Sequence, residues 1–166
     1  GPVGLCVLLM ASAMGSRVVG IDPSHERRER ALYFGAASAL DSGDPAVAQA
    51  VLDVTGGGAD FMVETSGSRA AHAAIPDYLR VNGQAAIVGL GSRDPSMNPI
   101  NLFPKQLGLF SSNLYPEWML PELFHFVRRK NVPIDRLITH RAAIEEAPAM
   151  FELANAASAG KIIFQF

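Results

Sequence analysis

The chain has 166 residues, and since domains usually run about 100 to 200 residues there is room for one and not two. Apolar residues make up 49% and charged residues 18%, which is enough apolar material for a buried core and excludes intrinsic disorder. Fourteen Lys plus Arg against 16 Asp plus Glu give a net charge of −2. With no long basic run to neutralise a phosphate backbone, no nucleic-acid partner is expected.

Cys6 is the one cysteine, so neither an internal disulfide nor a Cys-x-x-Cys metal cage is available, and a reducing, cytoplasmic setting is expected. The apolar opening from Val3 to Met10 is far shorter than the about 20 residues of a membrane span, and no membrane partner is expected.

In chain order, an apolar helix follows Gly1-Pro2-Val3-Gly4 at once. Short apolar runs then alternate with helical patterns. The predicted strands are Arg17 to Ile21, Ala39 to Leu40 with their neighbours, Phe61 to Val63, Ala85 to Val88, Leu107 to Phe110 and Ile162 to Phe166. Ser24, Asp44 with Pro45, and Ser68 mark helix starts, because each side-chain oxygen can accept from first-turn amides and proline is tolerated there. A loop rich in Pro, Asn and Ser covers residues 91–105, and a helix is predicted from Trp118 to Lys130. This alternation is the pattern of βαβ units, and runs without polar alternation suit parallel strands covered on both faces. The predicted fold class is α/β, with a doubly wound, mostly parallel sheet.

The opening residues read as the last two glycines of a Gly-x-Gly-x-x-Gly loop, and Asp22 ends the next strand 18 residues beyond Gly4, close to the about 20 expected for a ribose-binding acid. Glycine lets backbone amides approach a pyrophosphate, the helix amino terminus favours its charge, and the carboxylate accepts from two ribose hydroxyls. Asp22 would repel a 2′-phosphate, so NAD is expected over NADP. Arg27 and Arg28 leave the opposite open, since a guanidinium can hold that phosphate.

GPVGL opening a helix, VVGID followed by Arg27 and Arg28, ALYFGA, VLDVTGGGADFMVETSG, LRVNGQAAIVGLG, LITHR and a closing GKIIF occur in this order over the whole chain. The ordered set resembles the cofactor-binding domain of the medium-chain, zinc-type, alcohol-dehydrogenase-like dehydrogenases. It is most similar to their polyol and threonine dehydrogenase branch, through Trp118 after GLFSSN and through Thr139-His140-Arg141. The resemblance implies a Rossmann-like domain over residues 1–166. It implies cofactor contacts from Gly1, Pro2, Val3 and Gly4 at the pyrophosphate, and from Asp22 and Arg27 at the ribose. Thr65 and Ser66 would border the cleft. Val88, Gly89 and Leu90 would meet the nicotinamide carboxamide, with Leu109 and Ser111 nearby.

It also implies two losses. The zinc ligands of such enzymes lie in a separate amino-terminal domain, so no catalytic or metal residue is assigned in this chain. The strand before the glycine loop, central in the order 3-2-1-4-5-6, is missing as well. The expectation is therefore a truncated piece of a longer NAD-dependent alcohol, polyol or amino-alcohol dehydrogenase, poorly folded and inactive alone. Leu107 to Ser112 would form a flat apolar edge strand, suited to pairing with a second copy in a homodimer or tetramer.

An S-adenosylmethionine-dependent methyltransferase is the alternative enzyme class, since it too holds adenosine with a glycine loop and an acid. A non-catalytic nucleotide-sensing or dimerisation module is the alternative outside enzymes. The Tyr-x-x-x-Lys pair of short-chain reductases is not present, because Ala37, Asn82 and Met119 stand four residues after the three tyrosines. His25, His72, His125 and His140 lie on separate elements without metal-binding spacing. Glu64, at a strand end, is a candidate for tuning neighbouring groups, and the stripe Leu120, Leu123, Phe124 and Val127 is expected in the core.

Overall fold

In the computed structural model, described over residues 1–91, 97–156 and 159–166, the expected alternation is present. The elements are α1 (Pro2–Ala13), β1 (Val19–Ile21), α2 (His25–Tyr33), β2 (Ser38–Leu40), α3 (Val47–Thr55), β3 (Ala59–Glu64), α4 (Arg69–Tyr78) and β4 (Leu79–Ile87). Then follow β5 (Gly108–Ser111), α5 (Leu120–Arg129), β6 (Ile138–Ala143), α6 (Ala147–Asn155) and β7 (Lys161–Gln165).

All strand pairs are parallel. β1 pairs with β2, placing Gly20 opposite Ala39, and β4 lies between β3 and β5, placing Ala85 between Met62 and Leu109. Among the described residues no ladder joins β1 to β3. In a doubly wound order these two strands would flank the first one, so the sheet is interrupted at its centre.

Local chemistry explains most element starts. Ser24 Oγ accepts from Arg27 N and Ser68 Oγ accepts from Ala71 N, each satisfying an orphan amide. The third start falls two residues later than expected. Asp44 uses its carboxylate on Ala46 N and its carbonyl on Val47 N, which makes a turn ahead of α3 instead of a cap upon it.

The core has two parts. Leu8 of α1 packs with Ala31 and Ala36, joined by Leu5, Val18, Phe34 and Ala39. Ile75 of α4 packs with Leu79 and Ala85 of β4, joined by Met62, Ile87 and Leu109 on β3 to β5. Each fully buried aliphatic side chain of this kind contributes about 1.5–3 kcal/mol. Lys105 closes the second part, donating from Nζ to the carbonyls of Pro76 and Leu79, 2.7 and 2.8 Å away.

Three expectations need correction, and one helix was not foreseen. The stripe on α5 is not core: Leu123 and Phe124 are 42% and 57% exposed. Helical spacing shows that a face is apolar and does not say what meets it. The closing strand, β7, does not extend the doubly wound sheet but pairs with β6 in a separate two-stranded sheet. The expected loop at 91–105 carries a 3-10 turn at Pro99–Lys105, while its residues 92–96 lie outside the described part. α6 was not expected at all, although Pro148 in its first turn is a start signal.

Candidate functional site

Because the strands are parallel, the segments that leave β1, β3, β4 and β5 lie at the same end of their sheets, where α/β folds bind ligands. Asp22 leaves β1 with its amide still bonded to Leu40 O at 3.1 Å. Its Oδ1 accepts from Ser24 N at 2.9 Å, which fixes the carboxylate. Its Oδ2 lies 3.9 Å from the Gly1 amino nitrogen and 3.8 Å from Arg27 Nη1. Both distances exceed a hydrogen bond, so Oδ2 retains lone pairs for an external donor.

The first bond within α1 is Leu5 N to Gly1 O. The amides of Val3 and Gly4 precede it and are directed out of the helix end, while Pro2 has none to lose. Gly4 brings α1 against the turn after β3, since a Cβ there would stand 3.2 Å from Thr65 Oγ1.

That turn is built around Glu64, which is 3% exposed. Oε1 accepts from Ser66 N at 2.7 Å and from Ser66 Oγ, and Gly67 N reaches both carboxylate oxygens at 3.1 and 3.0 Å. Oε2 also meets His72 Nε2 of α4 at 3.1 Å. A buried carboxylate is tolerated only when its lone pairs are satisfied in this way.

The turn after β4 lies directly on this one. Val88 N and Gly89 N both donate to Glu64 O, at 2.8 and 3.0 Å. A Cβ on Gly89 would run into Gly67 N, and one on Gly67 would stand 2.6 Å from the Leu90 carbonyl carbon. These glycines are required by the close approach of two backbones. β5 adjoins next, with Ser111 opposite Ile87 and Ser112 N donating to Ile87 O at 2.8 Å.

The structure thus brings Gly1, Pro2, Val3, Gly4, Asp22 and Arg27 together at α1, and Thr65, Ser66, Val88, Gly89, Leu90 and Ser111 along the strand ends. Leu109 stands apart from the rim, opposite Ala85 and packed on the core. Sequence reasoning missed the partner of Glu64, His72, eight residues on and across a helix start. It also missed the partner of Arg28, whose Nη2 pairs with Asp41 Oδ2 at 3.0 Å. Among the described residues no three of His, Cys, Asp or Glu stand together as a metal cage.

A family model described as zinc-binding dehydrogenase matches residues 2–129. Alcohol dehydrogenase 1 of Hordeum vulgare is 30% identical over 163 residues, covering 92% of this chain and 42% of that protein. An alcohol dehydrogenase structure from Thermotoga maritima superposes with a TM-score of 0.88 at 27% identity, covering 99% of this chain and 47% of that one. An Escherichia coli alcohol dehydrogenase solved with NADH gives 0.89 at 19% identity, covering 100% and 50%, which speaks for the fold alone. The chain spans half or less of the length of these relatives.

Proposed function

Because the chain belongs to the zinc-binding dehydrogenase family, we propose that its rim of strand ends holds NAD for hydride exchange with an alcohol, in a longer enzyme. The observation that carries this reading is Asp22: its Oδ2 is fixed beside the first turn of α1 without a hydrogen-bond partner among the described residues. The amides of Val3 and Gly4 would hold the pyrophosphate, and Asp22 with Arg27 the adenosine ribose. Thr65, Ser66, residues 88–90 and Ser111 would flank the nicotinamide and exclude water from it. NAD, when bound, supplies the hydride acceptor.

Asp22 disfavours a 2′-phosphate by charge, which supports NAD over NADP. The substrate would be a small alcohol, polyol or amino alcohol, and a zinc ion that polarises it would be held by chain beyond these residues. The interruption between β1 and β3 supports that view, since a further strand there would pair two otherwise bare edges. β5 is an edge whose Phe110 is half exposed, which supports a homodimer or tetramer continuing the sheet through it. Among the described residues no helix is long and apolar enough to cross a membrane. Cys6 as a free thiol suits a reducing cytoplasm.

Titration of the intact protein with NADH and, separately, S-adenosylmethionine tests the reading by nicotinamide fluorescence and calorimetry. NADH binding with no response to S-adenosylmethionine is expected, and the reverse would overturn it. Binding of NADH without turnover of any alcohol would favour a nucleotide-sensing module instead. Sedimentation of the intact protein as a monomer would remove the edge-strand dimer.

A further inference from the structure

Arg28 stands beside the proposed ribose site but is already engaged. Its Nη1 donates to the carbonyls of Asp22 and Pro23, each at 2.8 Å, and its Nη2 pairs with Asp41 Oδ2 at 3.0 Å. Its side chain is 16% exposed, whereas that of Arg27 is 35% exposed with one long contact to Asp22. Asp41 follows β2, the strand hydrogen-bonded to β1, so its carboxylate reaches Arg28 from across the ladder. The carboxylate is itself fixed, because Oδ1 accepts from Gly43 N at 2.8 Å.

We propose that Asp41 is a specificity-determining residue: by occupying Arg28 Nη2 and placing a second negative charge near Asp22, it bars nucleotides that carry a 2′-phosphate. This rests on the reading of the rim as a dinucleotide site. A phosphate is recognised best by a guanidinium with two free N–H groups in line. Three of the five guanidinium N–H groups of Arg28 are committed, two from Nη1 to carbonyls and one from Nη2 to Asp41, and the Asp41 carboxylate offsets the charge that would draw a phosphate. Two carboxylates then oppose the incoming charge. Changing Asp22 alone therefore leaves the discrimination in part, and removal of both acids is needed to abolish it.

Asp41→Asn separates the roles. Its Oδ1 still serves Gly43 N, while an amide replaces the oxygen that faced Arg28. Wild type, Asp41→Asn and Asp22→Ser/Asp41→Asn are made in the intact protein and titrated with NADH and NADPH. Arg28 modification by phenylglyoxal is followed in parallel by peptide mass spectrometry. Asp41→Asn is expected to tighten NADPH by about ten-fold, the scale of one lost ion pair and one lost repulsion, with NADH little changed. Arg28 is expected to react several-fold faster, a change that needs no bound nucleotide. The double variant should prefer NADPH.

NADH binding retained in both forms with NADPH unchanged would overturn the proposal and leave the site reading standing, as would an Arg28 reactivity that does not move. Equal weakening of both nucleotides would mark Asp41 as merely structural and overturn it too. Wild type that binds neither nucleotide would overturn the site reading itself, and this proposal with it.

Discussion

The buried carboxylate of Glu64, at the end of β3, stands 3.1 Å from Nε2 of His72 on α4. The same carboxylate takes the amides of Ser66 and Gly67, so one side chain ties a strand end, a turn and a helix together. Glu64→Ala leaves those buried amides without an acceptor and should cost about 2–4 kcal/mol, from about 1–3 kcal/mol per unsatisfied group. Glu64→Gln keeps one acceptor oxygen and should cost less than half as much. Urea unfolding midpoints of the two variants check the ranking, and equal losses would show that the turn does not depend on these bonds.

Asp22→Asn should weaken NADH binding by about ten- to a hundred-fold, since a hydrogen bond to a charged acceptor is worth about 1.5–3 kcal/mol. Loss of binding should appear without loss of stability, because Oδ1 can still accept from Ser24 N. A fluorescence titration beside a thermal melt reads both.

The glycines of the rim differ from those elsewhere. Gly89→Ala drives a methyl group into Gly67 N and should destabilise by about 1–3 kcal/mol or more through overpacking. Gly35, with φ +98° and open space around it, faces only a backbone penalty, and Gly35→Ala should cost about 1–2 kcal/mol. Of the two, only Gly89→Ala should also weaken nucleotide binding.

Tyr78 is buried at the end of α4, and burial first, then the Asp77 charge, raises its hydroxyl above the ordinary value of 10.0. The unfolded chain releases this proton at lower pH than the folded one, so stability present below about pH 10 is lost as pH rises beyond it. Thermal melts across pH 9 to 11 should fall more steeply for wild type than for Tyr78→Phe.

The strand and helix rhythm was legible because both faces of the parallel strands are apolar and the caps at Ser24 and Ser68 are local. That Asp22 stands beside the first turn of α1 was legible for a different reason, since a spacing of fixed length links a helix start to the end of the next strand. The pairings of Glu64 with His72 and of Arg28 with Asp41 were not, because each depends on which neighbouring element lies alongside. The α5 stripe shows the same limit from the other side: its pattern was right, and its burial depends on a partner that no pattern names. α6 went unseen because no side-chain cap marks its start, and Pro148 in the first turn is its one local signal.

Among the described residues no backbone ladder crosses from β1 to β3, while α1 and α3 both lie against β3. Amide exchange in these 166 residues taken alone should reveal two cooperative blocks, opening separately, with the seam running between Ile21 and Ala59. Substitutions on the inner faces of those two helices, far from any ligand, would then decide whether both halves of a dinucleotide are gripped at once or one after the other.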